Sequence, residues 1–253
     1  MDFKRYEFII DNVDKIKTTI YVYRLFLDDF DKLKSKINDE LVDIYFGDSD
    51  FDINTAKKDF YSLLNGKDDK KKYGIVSEFF AHLFLRTIGY TQECIFRNLE
   101  ERSLKKGFDG FYKMSNEFWI VESKSGYTQC IHKDKIKEAL DDIEDKIYNT
   151  SGNNPWMNAV NHIHNLQNGN EDLNLTKRVK ELSKDYINKI KHHSSEFNLI
   201  PVSTIYVDHN QTDEAIVKQL NGLLSDRDIK KAIAICVDND IYEAFLDYIK
   251  EID

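Results

Sequence analysis

Two stretches of this chain, "LIPVSTIYVD" at 199–208 and "AIAICVD" at 232–238, are nearly all apolar. A strand reads this way when both faces of its sheet are covered. Ile216, Leu220 and Leu223 recur at helical spacing between the two runs, and Phe245, Leu246 and Ile249 follow the second. Covered strands alternating with helices mean an α/β fold, with a mixed β-sheet flanked by helices.

The rest of the chain extends this pattern. "RYEFIIDNV" (5–13) and "TTIYVYRLF" (18–26) are rich in β-branched and aromatic residues and predict strands. Phe30, Leu33, Ile37, Leu41 and Ile44 predict a helix. "GDSDFDIN" (47–54) reads as a polar loop. Its spaced aspartates lack the sixth-position glycine and twelfth-position glutamate of an EF-hand. A helix is expected over 73–88, burying Val76, Phe79, Phe80, Leu83, Phe84 and Ile88, with Gly89 as its stop. Further helices carry Ile136, Leu140, Ile143 and Ile147, then "WMNAVNHIHNL", then Leu175, Val179, Leu182, Tyr186 and Ile190. The organisation expected is an α/β region at 1–66 that could dock a partner, then a main domain at 67–253 with a C-terminal α/β extension.

Composition narrows the class. The chain has 253 residues, 41% hydrophobic and 32% charged, with 2 prolines and 10 glycines, which suits a soluble domain without long linkers. Three cysteines (Cys94, Cys130, Cys236) form no CxxC and read as reduced thiols in a cytoplasmic protein. No apolar run is long enough to span a membrane, and the charged "MDFKRYEFII" is not a signal peptide. The net charge of −9 argues against a dedicated nucleic-acid binder. The positive charge is clustered, however, at Lys67 and Lys70–Lys72, at Lys105 and Lys106, and along Lys177, Arg178, Lys180, Lys184, Lys189 and Lys191. Each run by itself reads as a solvated face. No GxxxxGK[ST] occurs, so an ATP-driven step would need another protein.

The chemistry concentrates in "GFDGFYKMSNEFWIVESKSG", from Gly107 to Gly126. With Ser115-Asn116 as a two-residue turn, Met114 opposes Glu117, and Asp109 falls opposite Glu122. Lys124 points to the same face, as do Phe111, Phe118 and Ile120. Gly110, Tyr112, Trp119 and Val121 take the other. One extra turn residue would move Asp109 to the wrong face. Two carboxylates this close need positive charge between them. A divalent cation supplies it, and Mg²⁺ accepts a few carboxylates plus waters. The competing reading is an Asp/Glu–Lys salt bridge at a strand end. Glu78, on the preceding helix and four residues before His82, could be brought over the same spot.

A helix glutamate, then Asp109, then Glu122-Ser123-Lys124 at a strand end, then a helix, resembles the PD-(D/E)xK nuclease superfamily with its restriction-endonuclease-like core. Phe108 stands where that motif has proline. "SEFFAHLFLRTIGY", "GFDGFY" and "WIVESKSG" also resemble the HamA nuclease subunit of Hachiman antiphage systems, most clearly from Tyr73 to Gly126. The resemblance implies a Mg²⁺-dependent (or Mn²⁺-dependent) endonuclease that acts on DNA beside a HamB-like helicase subunit. It implies Asp109, Glu122, the Ser123 carbonyl and Glu78 as metal ligands. Lys124 would orient a water or neutralise charge at the phosphate. The other readings are a non-catalytic nuclease-fold adaptor that tethers a helicase, and a structural α/β protein whose trio is a salt bridge.

Other polar residues carry less. Gln129 would begin the helix after the motif and is as consistent with a surface position. His132, His162, His164, His192 and His193 have no zinc spacing. Asp208 and Asp238 read as strand-end caps.

Overall fold

The computed structural model describes residues 1–11, 17–47, 50–97, 107–127, 129–166, 173–206 and 211–251. Its elements run β1 (Asp2–Asp11), β2 (Lys17–Leu27), α1 (Phe30–Phe46), α2 (Ile53–Leu64), α3 (Asp69–Thr87), β3 (Thr91–Gln92), β4 (Gly110–Met114) and β5 (Glu117–Gly126). They continue through α4 (His132–Tyr148), α5 (Pro155–Leu166), α6 (Leu173–Ile187), β6 (Asn198–Tyr206), α7 (Asp213–Ser225), β7 (Lys231–Asn239) and α8 (Tyr242–Lys250). Among the described residues the strands form one sheet in the order β1-β2-β7-β6-β5-β4-β3. β2, β7, β6 and β5 run parallel, and an antiparallel pairing flanks them on each side.

Side-chain alternation separates two cores. One face of the sheet packs on α1, α2, α3 and α8 through residues such as Leu41, Phe60, Phe79, Phe84 and Phe245. The other packs on α4, α5, α6 and α7 through Ile136, Leu140, Trp156, Val179 and Leu220. β6 is buried along its whole length, and β7 is buried beyond Lys231, because helices cover both faces. Residues 1–66 contribute β1, β2, α1 and α2 to these same layers, and β2 pairs with β7 from Ile20↔Ala232 to Leu27↔Asn239.

Several boundaries differ from expectation for local reasons. The stretch read as a polar loop ends in a cap: the Thr55 amide donates to Asp52 Oδ1 at 2.9 Å and starts α2. Ala56, Phe60 and Leu64 then fill its buried stripe. α3 begins at Asp69, before Tyr73, since Asp68 accepts from the Lys71 amide at 2.9 Å. Lys70, Lys71 and Lys72 therefore lie in its first turn. α6 ends at Ile187, so Ile190 is outside it and exposed. Leu224 rather than Leu223 is buried in α7, and Tyr248 with Phe245 and Ile249 in α8. Gln129 sits exposed in the turn before α4 at φ 81°, not in the helix. Lys105, Lys106 and Asp208 lie outside the described residues.

The hairpin has the expected register. Met114 pairs with Glu117, and the ladder runs through Tyr112↔Trp119 to Gly110↔Val121. The two-residue turn carries its positive φ at Ser115 (57°), not at Asn116 as expected from residue preference. A lone positive φ at the first turn position is the type II′ arrangement, which favours glycine there. Ser115→Gly should relieve left-handed strain and stabilise the fold by about 1 kcal/mol. A urea-denaturation midpoint checks this, and an unchanged or lower midpoint would contradict the turn assignment.

Asp238 is more than a strand-end cap. It is buried, and its Oδ2 accepts from Arg24 Nη2 at 2.5 Å. Its Oδ1 lies 2.9 Å from His132 Nε2, and His132 Nδ1 is 2.9 Å from Ser203 Oγ. Arg24 also donates to Asp213 Oδ1 at 3.1 Å. Burial of a charged pair is tolerated where such further hydrogen bonds satisfy it. Five segments, β2, α4, β6, α7 and β7, are thereby tied together.

Candidate active site

The ladder between β4 and β5 stops at Gly110↔Val121, while β5 continues to Gly126. Past that point Ser123 has no β4 residue to bond. Asp109 fills the gap: its Oδ2 accepts from the Ser123 amide at 2.8 Å. In a strand the N–H and C=O of one residue point to the same side. The Ser123 carbonyl therefore points past the end of β4 as well, on the side that Asp109 occupies.

The neighbouring side chains, Glu122 and Lys124, share the α4 face of the sheet. Glu122 is 2% exposed. A carboxylate buried that far must be paired, and two ammonium groups hold it. Lys124 Nζ lies 3.1 Å from Oε1, and Lys146 Nζ of α4 lies 2.6 Å from Oε2. Lys124 also bonds Asp142 of α4. Burial acts to lower the Lys124 pKa, but the Glu122 charge, the Asp142 hydrogen bond and the Asp109 charge outweigh it, and the pKa rises above the ordinary lysine value. Lys124 is therefore an ammonium throughout the neutral range. Its contribution to stability is fully present below the ordinary lysine pKa and is lost only as pH climbs through the raised one.

Glu78 reaches the site from the opposite helical layer. It lies on α3 and lines a narrow cleft with Asp109, Phe108, Asn158 and His162. Its Oε1 is 3.9 Å from His82 Nε2, and His82 Nδ1 hydrogen-bonds the buried Tyr112 hydroxyl. The close approach of His82 to the sheet is made at Gly110, where a Cβ would come within 3.3 Å of the imidazole. On its other side Asp109 borders a cavity of about 400 Å³, with Asp142, Asp145, Lys146, Asn149 and Tyr186 in its wall. The N-terminal end of α5 stands beside Asp109, since a Cβ on Gly107 would meet the Pro155 carbonyl at 2.9 Å.

Asp109, Glu122, Ser123 and Lys124 are thus assembled at one strand end, and Glu78 lines the same narrow cleft as Asp109. Asp142 and Lys146 were not singled out from sequence. They lie 18 and 24 residues beyond their partners Lys124 and Glu122. The available signal was weak: polar residues 142, 145 and 146 on α4, and Asn149 just past its end, recur at helical spacing. Two carboxylates and a main-chain carbonyl are hard oxygen donors of the kind Mg²⁺ takes, with waters completing its shell. Among the described residues, no three His, Cys, Asp or Glu side chains converge as a ready-made metal cluster. Such an ion would meet Glu122 with its oxygens engaged by lysines.

Of the discounted histidines, His164 and His193 are exposed, and His132 belongs to the Asp238 cluster. His162 Nδ1 accepts from the Ile95 amide at 3.1 Å, and His192 lies between Asp185 and Glu196. Among the described residues, no helix is long and apolar enough to cross a membrane.

No curated protein matches this sequence. The family description that does match is HamA, over residues 2–253. Nearly the whole chain is covered, well beyond the segment from Tyr73 to Gly126, so the protein belongs to the HamA family and with it to Hachiman antiphage defence.

Proposed function

We propose that this protein is a metal-dependent DNA endonuclease, the effector of a defence complex in which a HamB-like helicase supplies the ATP-driven step. The observation that carries the reading is the bond between Asp109 and the Ser123 amide. It brings the Asp109 carboxylate to the strand end that bears Glu122 and Lys124, beside a cavity of about 400 Å³.

Asp109, Glu122 and the Ser123 carbonyl would hold Mg²⁺, or Mn²⁺, with Glu78 a further ligand directly or through water. The bound ion would lower the pKa of a water and withdraw charge from the scissile phosphate. Lys124 cannot serve as general base near neutrality, because its pKa is raised. Its ammonium instead offsets the negative charge that grows on the phosphate oxygens. Asp142 and Glu122 fix the direction in which Lys124 points. The net charge of −9 fits an enzyme that receives DNA from its partner rather than seizing it alone. Residues 1–66 are the proposed docking region.

One observation favours the adaptor reading. Both Glu122 oxygens carry an ammonium, so the cluster is also a self-satisfied salt bridge. Plasmid nicking with Mg²⁺ or Mn²⁺, with and without the helicase, separates the two. Asp109→Asn should lower nicking by the complex about a hundredfold, the scale of losing one electrostatic contact in a reaction site. Equal activity of this variant and wild type would remove the catalytic assignment and leave the adaptor.

A further inference from the structure

The two ammonium groups on Glu122 are not equivalent. Lys124 is a neighbour on the same strand and has a second anchor in Asp142. Lys146 comes from the last turn of α4, and its ion pair is with Glu122. The Lys146 side chain is 27% exposed against 3% for Glu122, so it bridges a buried carboxylate and open space. That space is the cavity of about 400 Å³ bordered by Asp109, Asp142, Asp145 and Asn149. The Lys146 ammonium also lies 5.9 Å from the Phe108 ring, on the residue preceding Asp109.

We propose that Lys146 is a placeholder cation: it neutralises Glu122 until a divalent ion takes that carboxylate, and then turns into the cavity to bind a phosphate of the DNA strand. The inference rests on the nuclease reading. A carboxylate as buried as Glu122 is costly without a counter-charge, so some cation must occupy it in every state. An ammonium and a divalent ion repel strongly at contact distance in a partly desolvated site, so they do not share one oxygen. Lys124 is retained by Asp142. Lys146 is the group with somewhere to go, because its stem already lies along the cavity wall. There it presents a compact charge with three donors, suited to a phosphate. The lysine thus couples arrival of the metal to creation of a substrate contact.

The test uses the full chain, with Mn²⁺ as the probe for binding and nicking by the helicase complex as the second readout. Lys146→Met keeps the stem and removes the competitor. It should tighten Mn²⁺ binding about tenfold, the effect of relieving a contact worth about one pKa unit. At saturating Mn²⁺ its nicking should fall about tenfold, chiefly through a higher KM for DNA. Lys146→Arg keeps the charge and, with a fork able to engage both Glu122 oxygens, should weaken Mn²⁺ several-fold. This second variant decides the matter if Lys146→Met does not fold. Unchanged or weaker Mn²⁺ binding in Lys146→Met, or unchanged binding in Lys146→Arg, overturns the proposal. Glu122→Gln separates the two levels. If it abolishes Mn²⁺ binding while the Lys146 variants match wild type, the placeholder fails and the nuclease reading stands. If it leaves both binding and nicking intact, the nuclease reading falls first.

Discussion

Glu122→Gln should reduce Mg²⁺-dependent nicking by the helicase complex about a thousandfold, the upper end for removing one preorganised electrostatic contact. The magnitude follows from position. Glu122 is the most buried charge of the cluster and is contacted by both lysines. Glutamine is isosteric, Lys124 keeps its bond to Asp142, and Lys146 can turn to solvent. The fold should therefore survive, which a melting curve can verify. Lys124→Ala should fall about a hundredfold on the same scale, because the metal ligands remain. Retention of wild-type nicking by Glu122→Gln would mean that the buried carboxylate is a structural counter-ion and nothing more.

Arg24→Met should cost about 3–5 kcal/mol of stability, since removing one member of a buried ionic cluster leaves the other charges uncompensated. Arg24 is 2% exposed and holds Asp238 and Asp213 together. Lys4 offers an internal comparison. It also pairs with Asp213, at 2.7 Å, but its side chain is 62% exposed. Lys4→Met should barely move the urea midpoint, because an exposed pair is screened and its water is restored. Comparable losses in both variants would show that Asp213, not burial, sets the effect. The cluster joins β2 to β7 and α7, so this measurement reads how firmly the N-terminal strands are attached to the rest of the sheet.

What could be read in the sequence was local or periodic. The hairpin register followed from a two-residue turn and strict alternation, and the Gly110↔Val121 pairing agrees with it. The covered strands announced themselves as apolar runs. α2 was missed because Asp48, Asp50 and Asp52 look like loop residues, whereas Asp52 is the cap of a helix whose stripe starts four residues later. Asp238 looked like a cap because its partner Arg24 lies 214 residues away, and nothing in the intervening sequence signals the pairing. Lys146 was hidden for a related reason: a lysine near a helix end is common, and only the packing of α4 on β5 aims it at Glu122. Pro201 is a further case. It lies inside β6, opposite Glu122, where strand rules disfavour proline. The ladder to β7 passes over Ile200 and Pro201 and resumes at Val202↔Ile235 in the register it had at Leu199↔Ala232.

The separation of the helices into two layers bears on control as well as stability. Glu78 rides on one layer with α3, while Asp142 and Lys146 ride on the other with α4. Glu122 belongs to the sheet between them, and Asp109 is tied to its β5 strand through the Ser123 amide. Packed layers slide as units rather than deforming continuously. A load that sheared one layer against the sheet by an ångström or so would change the spacing of all these groups at once, and the protein surface it pressed on could be far from every one of them.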